Sequence, residues 1–577
     1  MAAFRRRSHR SRLRSGSLRF ALRAALAVAA GCPTAIPVAA QEPAPEPVFT
    51  RSDTLRGSNG PARAWWDVGF YDLEVRVDPE TRSIEGSNAI TFTVVADPPA
   101  TRELQIDLQS PLRLDSVTLR GTRLSLRREG AAWFAALPTT PRVGDRHTVV
   151  AWYGGTPLEA SNAPWDGGFV WARDGAGAPW IATANQGIGA SVWWPTKDWQ
   201  GEEPDSQSIA VTVPEPLVNV SNGRLRSVRR NPDGTTRYEW FVAAPINNYN
   251  VAVNAGSYAH WHEVYDGARG PLSLEFWPLA ENLDAAFEQW SGETRTMLAC
   301  FEEWFGPFPW YEDGFKLVET PYLGMEHQSA IAYGNGYVNG YRGTDLSGTG
   351  QGLAWDFILV HEAAHEWWGN HVTTADVADM WVHESFANYA ENLYTECLTG
   401  STAAGAEYVI GTRARIQNDR PIVGTYGVQH EGSGDMYYKG GNLLHTLRQW
   451  VDDDTRWKSI LRGLQEALGG GVTTGAAVED YIADRTGIDL DAFFDQYLRT
   501  TRVPVLEWRI RSAVLEYRWA DVVDGFAMPV DVRLEGGYTL SLRPSREWTR
   551  VPVPAGVDSL AVDPDWYVSS RPLLPES

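Results

Sequence analysis

The sequence predicts a multidomain α+β protein whose domains follow one another along the chain. Residues 61–259 alternate apolar and polar side chains over many short segments, which is typical of antiparallel β-strands. From residue 282 the apolar residues recur with a period near 3.6, which predicts helices. The alternation of apolar and polar side chains returns near residue 503. We therefore predict an N-terminal antiparallel β domain over 61–259, a mainly helical domain over 260–502 and a small C-terminal β domain over 503–577.

The first 40 residues differ in composition from the rest. They contain eight arginines and no acidic residue, followed by the short apolar run ALRAALAVAAG and by small residues at Val38 and Ala40. This order predicts a secretory signal peptide over 1–40 and export to the periplasm or the cell exterior. A mitochondrial presequence is the alternative, which the apolar run disfavours. AAGC, ending at Cys32, suggests lipid attachment, but the leucine usually found three residues before the cysteine is missing.

Residues 41–60 are rich in Pro, Gly and Ser and predict a flexible leader. No later segment approaches the roughly 20 apolar residues of a membrane-spanning helix. The formal charge of −21 argues against nucleic acid and anionic membranes as partners. Beyond the signal peptide only Cys300 and Cys397 remain, both in helix-like surroundings, and we expect them to be buried free thiols.

The pattern within each domain predicts its elements. In the first domain YDLEVRVDPETRSIEGSNAITFTV is a predicted hairpin, and LQIDL, SVTLRG, HTVVAWYGG and IAVTVP continue the alternation. A helix is predicted from Asn282 to the breaker GPFPW. Further predicted helices are FILVHEAAHEWWGN, MWVHESFANYAENLYTECL, MYYKGGNLLHTLRQWV and DLDAFFDQYLR. VLEWRIRSAVLEYRW and VDVRLEGGYTLSLRP supply strands of the last domain.

The segment HEAAH, residues 361–365, has the spacing of a zinc-binding helix. An α-helix repeats every 3.6 residues, so His361 and His365 project from one face and can both bind one Zn²⁺. Glu362 lies beside them, where its carboxylate can reach a water molecule without taking a ligand position. This is the H-E-x-x-H arrangement of zinc peptidases. The alternative is a buried helix whose histidines are satisfied by hydrogen bonds.

A catalytic zinc site needs a third protein ligand and an open position. Glu384, on the next predicted helix, follows His365 with eighteen residues between. His383 competes with it, but neighbouring helical residues point about 100° apart, so only one of the two should face the metal. Glu391 lies seven residues further along nearly the same face and suits an acceptor that orients a ligand, although a solvated surface glutamate would show the same spacing.

These motifs together resemble the aminopeptidase N family of zinc metallopeptidases, which also includes leukotriene hydrolase. H-E-x-x-H is followed after eighteen residues by a glutamate within W-x-x-E-x-F-A. YLGMEHQSA, residues 322–330, is similar to the family's G-x-M-E-N exopeptidase motif, and YYKGG, residues 437–441, to its Y-x-K-G motif. The order of a β domain, a thermolysin-like catalytic domain and a small β domain also matches.

The resemblance implies a role for each matching residue. His361, His365 and Glu384 would bind one Zn²⁺ per chain, with Glu362 as general base. Glu326 would hold the free α-amine of a peptide substrate, with Gln186 as a second contact. Gly324 and Met325 would flank the peptide on a strand edge. Tyr437 would stabilise the oxyanion, with Tyr438 as the alternative.

The sequence departs from the family pattern at three positions. Leu323 and His327 replace a glycine and an asparagine around the exopeptidase motif, and Ile188 replaces the second polar residue of the T-Q-x-E-A-like segment. We also expect no large C-terminal helical domain.

The resemblance implies a zinc aminopeptidase acting on peptides with a free N-terminus. Three alternatives stay open: a zinc endopeptidase or dipeptide-releasing peptidase, the epoxide hydrolase activity of one branch of the family, and a non-catalytic peptide-binding relative. Loss of activity on N-acetylated peptides would distinguish the first alternative, and zinc content the last.

Overall fold

A computed structural model of the chain describes residues 48–573. The predicted signal peptide, Cys32 and the start of the leader lie outside these residues. The predicted α+β order of a β-rich region, a helical region and a second β region is confirmed. The exact domain limits stay predictions.

The N-terminal region contains one short helix and fifteen strands among the described residues. The helix is α1 (Arg51–Gly57). The strands are β1 (Trp66–Asp78), β2 (Ser83–Val94), β3 (Glu103–Asp107), β4 (Arg113–Leu119), β5 (Thr122–Arg123), β6 (Ser125–Glu129), β7 (Ala132–Ala136), β8 (Arg146–Gly155), β9 (Gly168–Arg173), β10 (Pro179–Ala184), β11 (Ser206–Pro214), β12 (Val218–Val220), β13 (Arg224–Arg230), β14 (Thr235–Val242) and β15 (Asn254–Gly256).

These strands form three sheets. The largest has the order β13-β14-β11-β1-β2-β8-β4-β5, and the smaller ones are β12-β15-β10-β9 and β3-β7-β6. The predicted purely antiparallel domain is wrong in one pair, because β1 and β11 run parallel with Phe70 opposite Ser206. Parallel pairing needs a long crossover, and here the connection runs through β2 to β10, including the whole β3-β7-β6 sheet.

The described part of the predicted flexible leader, residues 48–60, contains the helix α1. Asp53 accepts a hydrogen bond from the backbone nitrogen of Thr50 at 2.7 Å, which satisfies a donor at the start of α1. Gly57 at its end is buried so close to the loop at Val428 that a β-carbon would lie 2.2 Å from backbone. The helix is therefore fixed against the middle region of the chain.

The middle region combines a mixed sheet with eight helices. Its strands are β16 (Trp261–Gly267), β17 (Gly270–Trp277), β18 (Phe315–Glu319), β19 (Gly324–Met325), β20 (Ile331–Tyr333), β21 (Val372–Thr374) and β22 (Gly471–Thr473). Its helices are α2 (Leu283–Phe305), α3 (Phe357–Ala364), α4 (Trp381–Thr399), α5 (Thr402–Gly411), α6 (Tyr438–Val451), α7 (Asp454–Leu468), α8 (Gly475–Thr486) and α9 (Asp491–Leu498). The sheet order β16-β17-β18-β20-β19 leaves β19 at an edge.

The helices α3 and α4 lie at the centre of the middle region, which is why their side chains are almost all buried. α2 packs against α4, and Cys300 on α2 forms a disulfide with Cys397 on α4. The predicted free thiols are therefore wrong. The packing brings the two Cα atoms to 5.9 Å, within the range that a disulfide spans, although 97 residues separate them.

The C-terminal region consists of two small sheets. Its strands are β23 (Val505–Arg511), β24 (Val514–Ala520), β25 (Val530–Leu534), β26 (Thr539–Leu542), β27 (Thr549–Pro552), β28 (Leu560–Val562) and β29 (Ser569–Pro572). Their orders are β27-β24-β23-β29 and β26-β25-β28. Tyr497 of α9 donates to the Tyr567 carbonyl at 2.7 Å, which ties this region to the helices. Among residues 48–573 no helix has the length and apolarity to cross a membrane.

Candidate functional site

Helix α3 carries both histidines of the predicted zinc motif. Asp356 caps its first turn, where its side chain accepts from the Leu359 nitrogen at 3.3 Å. The Asp356 backbone nitrogen in turn donates to Glu293 at 2.9 Å. The regular helix ends at Ala364, but His365 keeps a helical backbone (φ −64°, ψ −19°), so the predicted one-turn spacing of the two rings holds.

His361, His365 and Glu384 bring one atom each to a common point. The two Nε2 atoms are 3.4 Å apart, and Glu384 Oε2 lies 3.4 Å from His365 Nε2 and 3.6 Å from His361 Nε2. Two ligand atoms that bind one zinc ion at about 2.0–2.1 Å and at the tetrahedral angle are about 3.4 Å apart. The triangle therefore has the size of one face of a tetrahedral zinc site, which leaves the fourth position open.

The chemistry of these three side chains also fits a cation. Glu384 Oε2 is buried and accepts no hydrogen bond from any described residue, which is costly for a carboxylate oxygen. Burial lowers the pKa of His361, but the Glu384 and Glu391 carboxylates outweigh it and raise that pKa well above its usual value. The site thus stabilises positive charge in a buried place, and zinc is the ion this ligand set fits.

Each histidine is oriented by a hydrogen-bond acceptor at Nδ1, the ring nitrogen that faces away from the metal position. His361 Nδ1 donates to Glu391 Oε1 at 2.8 Å, and His365 Nδ1 donates to the Trp368 carbonyl at 2.8 Å. The Glu391 carboxylate is itself held by Asn388 Nδ2 at 3.1 Å and by the Tyr408 hydroxyl at 2.6 Å. With a proton on each Nδ1, the Nε2 lone pairs face the metal position. Glu391 is buried, not a solvated surface glutamate.

Glu384 rather than His383 faces the two histidines. His383 Nε2 accepts from the Thr374 backbone nitrogen at 3.0 Å and points toward β21. The 100° step between neighbouring helical residues accounts for this division.

Glu362 lies against the edge strand β19. A β-carbon at Gly324 would lie 2.7 Å from Glu362 Oε1 and 2.8 Å from Ile358 Cγ2, so glycine is what lets the strand approach the helix. Gly324 and Met325 form β19 beside the cavity, where the sequence predicts that they flank a peptide. Burial raises the pKa of the Glu362 carboxyl to about 7.

Glu326 is buried next to the metal position and is held by one of its two carboxylate oxygens. Gln186 Nε2 donates to Glu326 Oε1 at 2.6 Å and also to Glu384 Oε1 at 3.1 Å. The Tyr249 hydroxyl donates to the same Glu326 Oε1 at 3.1 Å. Glu326 Oε2 accepts no hydrogen bond from any described residue. The sequence analysis missed Tyr249, because no local pattern connects residue 249 to residue 326.

The three departures from the family pattern have different surroundings. Ile188 packs against Gly167, where an added β-carbon would lie 2.3 Å from Ile188 Cγ2. His327 is buried with neither ring nitrogen hydrogen-bonded to a described residue, and burial lowers its pKa to about 3. Leu323 is buried and lines the cavity.

Tyr437 stands nearer to the metal position than Tyr438. Tyr437 precedes α6, and the centre of its ring is 6.0 Å from that of His361. Burial and the nearby Glu384 carboxylate raise the pKa of its hydroxyl well above the usual value. Tyr438 turns toward Glu391 and Arg415, and burial raises its pKa to about 12.

The three metal-facing residues line one cavity of about 460 Å³ together with Glu362, Glu326, Gln186 and Tyr437. Apolar side chains of Phe357 and Ile358 and the aromatic Tyr341 also line it. The cavity therefore has room for a peptide across the metal position.

Comparison with known proteins adds a family match. Residues 291–497 match the model of the peptidase family M1 domain. Human aminopeptidase B is 24% identical over 420 residues, which cover 65% of this chain and 59% of that protein. Aminopeptidase N of Streptomyces lividans is 26% identical over 334 residues, or 54% of this chain and 37% of that protein. The chain thus spans less than two thirds of the length of these relatives.

Solved structures with the same fold include an M1 zinc metallopeptidase from Deinococcus radiodurans. Superposition of this chain on that structure gives a TM-score of 0.65 at 21% sequence identity, and the match covers 76% of this chain and 94% of that chain. A mutant of that enzyme bound to a Tyr-Ser-Ala substrate gives a TM-score of 0.65 at 21% identity, with 77% and 96% covered. This likeness concerns the fold.

Proposed function

We propose that this chain, which belongs to peptidase family M1, is a zinc-dependent aminopeptidase that removes single residues from the N-terminus of peptides. The observation that carries the proposal is the bridge made by Gln186. One amide nitrogen contacts both Glu326 and the metal-facing Glu384, so the amine-binding carboxylate lies directly beside the metal position. A peptide whose ammonium pairs with Glu326 would have its first carbonyl near the metal.

Zinc held by His361, His365 and Glu384 would supply activation of water and polarisation of the carbonyl. Glu362 takes the proton from the attacking water and returns it to the leaving amine. Burial raises the pKa of the Glu362 carboxyl and so favours proton uptake by this group. Tyr437 donates its hydroxyl to the carbonyl oxygen as negative charge develops there, which is worth up to a few kcal/mol in the barrier.

Selectivity for a free N-terminus comes from the buried carboxylate of Glu326. Its Oε2 is free to accept from an ammonium, and a charge-assisted hydrogen bond there is stronger than a neutral one. An acylated amine would bring no charge and would leave this buried carboxylate unpaired. Gln186 and Tyr249 hold Glu326 without help from Ile188, which favours the aminopeptidase over the endopeptidase alternative.

We further propose that the protein is exported. The support is the signal-peptide pattern of residues 1–40 together with the disulfide between Cys300 and Cys397, since disulfides persist in oxidising compartments.

The proposal is tested by following a tetrapeptide by mass spectrometry. We expect stepwise loss of single N-terminal residues, inhibition by a chelator and recovery with added zinc. The Glu362→Gln protein should keep its zinc and lose turnover. Release of dipeptides, internal cleavage or normal turnover by zinc-loaded Glu362→Gln would contradict the proposal.

A further inference from the structure

Gln186, which contacts two carboxylates of the candidate site, lies in a tight turn that contains two glycines. The turn runs from Asn185 to Gly189, and the Gly189 nitrogen donates to the Asn185 carbonyl at 2.8 Å. Gly187 and Gly189 both have positive φ, of 73° and 87°. Glycine adopts many backbone conformations, so a turn with two of them does not keep one shape by itself. The position of the Gln186 amide therefore depends on contacts made to this turn from outside.

The Ile188 carbonyl receives two of these outside contacts. Arg56, on the N-terminal helix α1, donates its guanidinium to this carbonyl. Gln109 Nε2 donates to the same oxygen at 2.8 Å. Within the turn the Ile188 nitrogen donates to the Gln186 carbonyl at 2.8 Å. A displacement of Ile188 is therefore passed directly to Gln186.

The segment 49–57, which contains α1, also contacts the loop 428–432. The last two residues of this loop line the cavity of the metal position. An added β-carbon at Gly57 would overlap the backbone of the loop, so the two backbones touch. The centres of the Phe49 and His430 rings are 5.1 Å apart, with the rings edge to face. One short segment thus contacts both the Gln186 turn and a second part of the cavity wall.

The C-terminal end of α1 is fixed to the N-terminal β region. Arg63, which is buried, donates to the carbonyls of Arg56 and Ser58 at 3.0 and 2.8 Å. Gln105 Nε2 donates to the Leu55 carbonyl at 2.9 Å. The last carbonyls of a helix have no partner within it, and here side chains of the β region supply the partners. The helix is therefore anchored independently of the turn and the loop.

We propose that residues 49–57 act as a strap that holds the Gln186 turn against the loop 428–432, with Arg56 and Gly57 as positioning residues for recognition of the substrate ammonium. The inference rests on the proposed function, because Gln186 is one of the two side chains that hold Glu326. A displaced turn withdraws the Gln186 amide from Glu326, so the ammonium is bound less well and KM rises. The metal-facing histidines have acceptors of their own, so zinc content is retained.

The first test replaces two arginines of the same helix. Arg56→Met removes the donor to Ile188 and keeps a long side chain. We expect KM for a free-amine peptide to rise about three- to tenfold, as for loss of one hydrogen bond, with a smaller change in kcat and unchanged zinc content. The preference for the free over the N-acetylated peptide should fall by the same factor. Arg56→Lys, which keeps a donor, should restore most of the loss. Arg51→Met is the matched control, because Arg51 pairs with Glu129 instead.

The second test uses two glycines near the end of the strap. Gly57→Ala forces the strap away from the loop 428–432 and should raise KM at least as much as Arg56→Met. Gly60→Ala is the matched control, because an added β-carbon there meets only Ser58 Oγ, at the ordinary distance of 3.7 Å. It should leave KM unchanged. Thermal unfolding of each variant shows whether it is folded, and if Gly57→Ala does not fold, the arginine variants decide the question.

Unchanged KM and unchanged preference for the free amine in Arg56→Met would overturn the inference. An equal rise of KM in Arg51→Met, or a loss of zinc or of kcat at constant KM in Arg56→Met, would overturn it as well, because such effects indicate a general structural role. If the unaltered protein releases N-terminal residues while these variants behave like it, only this inference is refuted. No release of any N-terminal residue by the unaltered zinc-loaded protein refutes the proposed function, and this inference with it.

Discussion

The hydroxyl of Tyr249, in the N-terminal β region, donates to Glu326 Oε1 across 3.1 Å, and both side chains are buried. Glu326 directly follows the edge strand β19 of the middle region. The contact joins two parts of the chain at the carboxylate that we propose to bind the substrate ammonium. It leaves Glu326 Oε2 as the free acceptor, so Tyr249 acts by positioning Glu326.

Tyr249→Phe should weaken amine binding without changing metal content. A hydrogen bond to a charged group contributes about 1.5–3 kcal/mol, so KM for a free-amine peptide should rise about tenfold or more while kcat changes less. Tyr258→Phe is the matched control, because it removes a buried hydroxyl that donates to the Glu319 carbonyl away from the metal. Equal effects of the two variants on KM would contradict a positioning role.

Glu391→Gln should loosen the metal site. The change removes the carboxylate that orients His361, and loss of such a contact typically lowers metal affinity about 10- to 100-fold. Zinc affinity is measured by competition with a chromogenic chelator. Tyr408→Phe, which removes one donor to Glu391, should have a smaller effect in the same direction. Unchanged affinity in Glu391→Gln would show that His361 needs no such acceptor.

Tyr437→Phe should reduce kcat about 10²- to 10³-fold with little change in KM, since its hydroxyl acts on charge that develops only in the transition state. Tyr438→Phe, one residue further along, should retain most of the activity. The opposite ranking in steady-state kinetics would assign the oxyanion role to Tyr438.

Activity should fall in acid with a midpoint between the ordinary glutamate pKa of 4.5 and about 7. Burial raises the pKa of Glu362 to about 7, and the positive charge of zinc lowers it again. Because the base must be ionised, kcat/KM should be full above this midpoint and lost as pH falls through it. A profile that is flat between pH 4 and pH 8 in zinc-loaded protein would exclude Glu362 as the base.

Local spacing in the sequence identifies the three side chains that the structure brings together at the candidate metal position. His361 and His365 share a helix face, and the step between His383 and Glu384 places only one of them toward the metal. Helices α7 and α8 were not predicted, although the sequence carries signals for them. Asp453 and Thr474 cap their first turns, and Gly487 ends α8 in a left-handed conformation.

Other features could not be predicted from local patterns. The contacts of Glu326 with Gln186 and Tyr249 span 140 and 77 residues, and the Cys300–Cys397 disulfide spans 97. Such pairs depend on how whole elements pack, which helix and strand periodicity does not encode. The parallel β1–β11 pair escaped prediction for the same reason.

The most direct test of the proposed function compares one peptide with its N-acetylated form, using zinc-loaded protein. Acetylation removes the positive charge that Glu326 Oε2 would bind and leaves the first peptide bond intact. We predict that kcat/KM for the acetylated peptide falls at least 100-fold and that only the free peptide loses its first residue. Equal cleavage of both peptides would contradict the account and identify an endopeptidase.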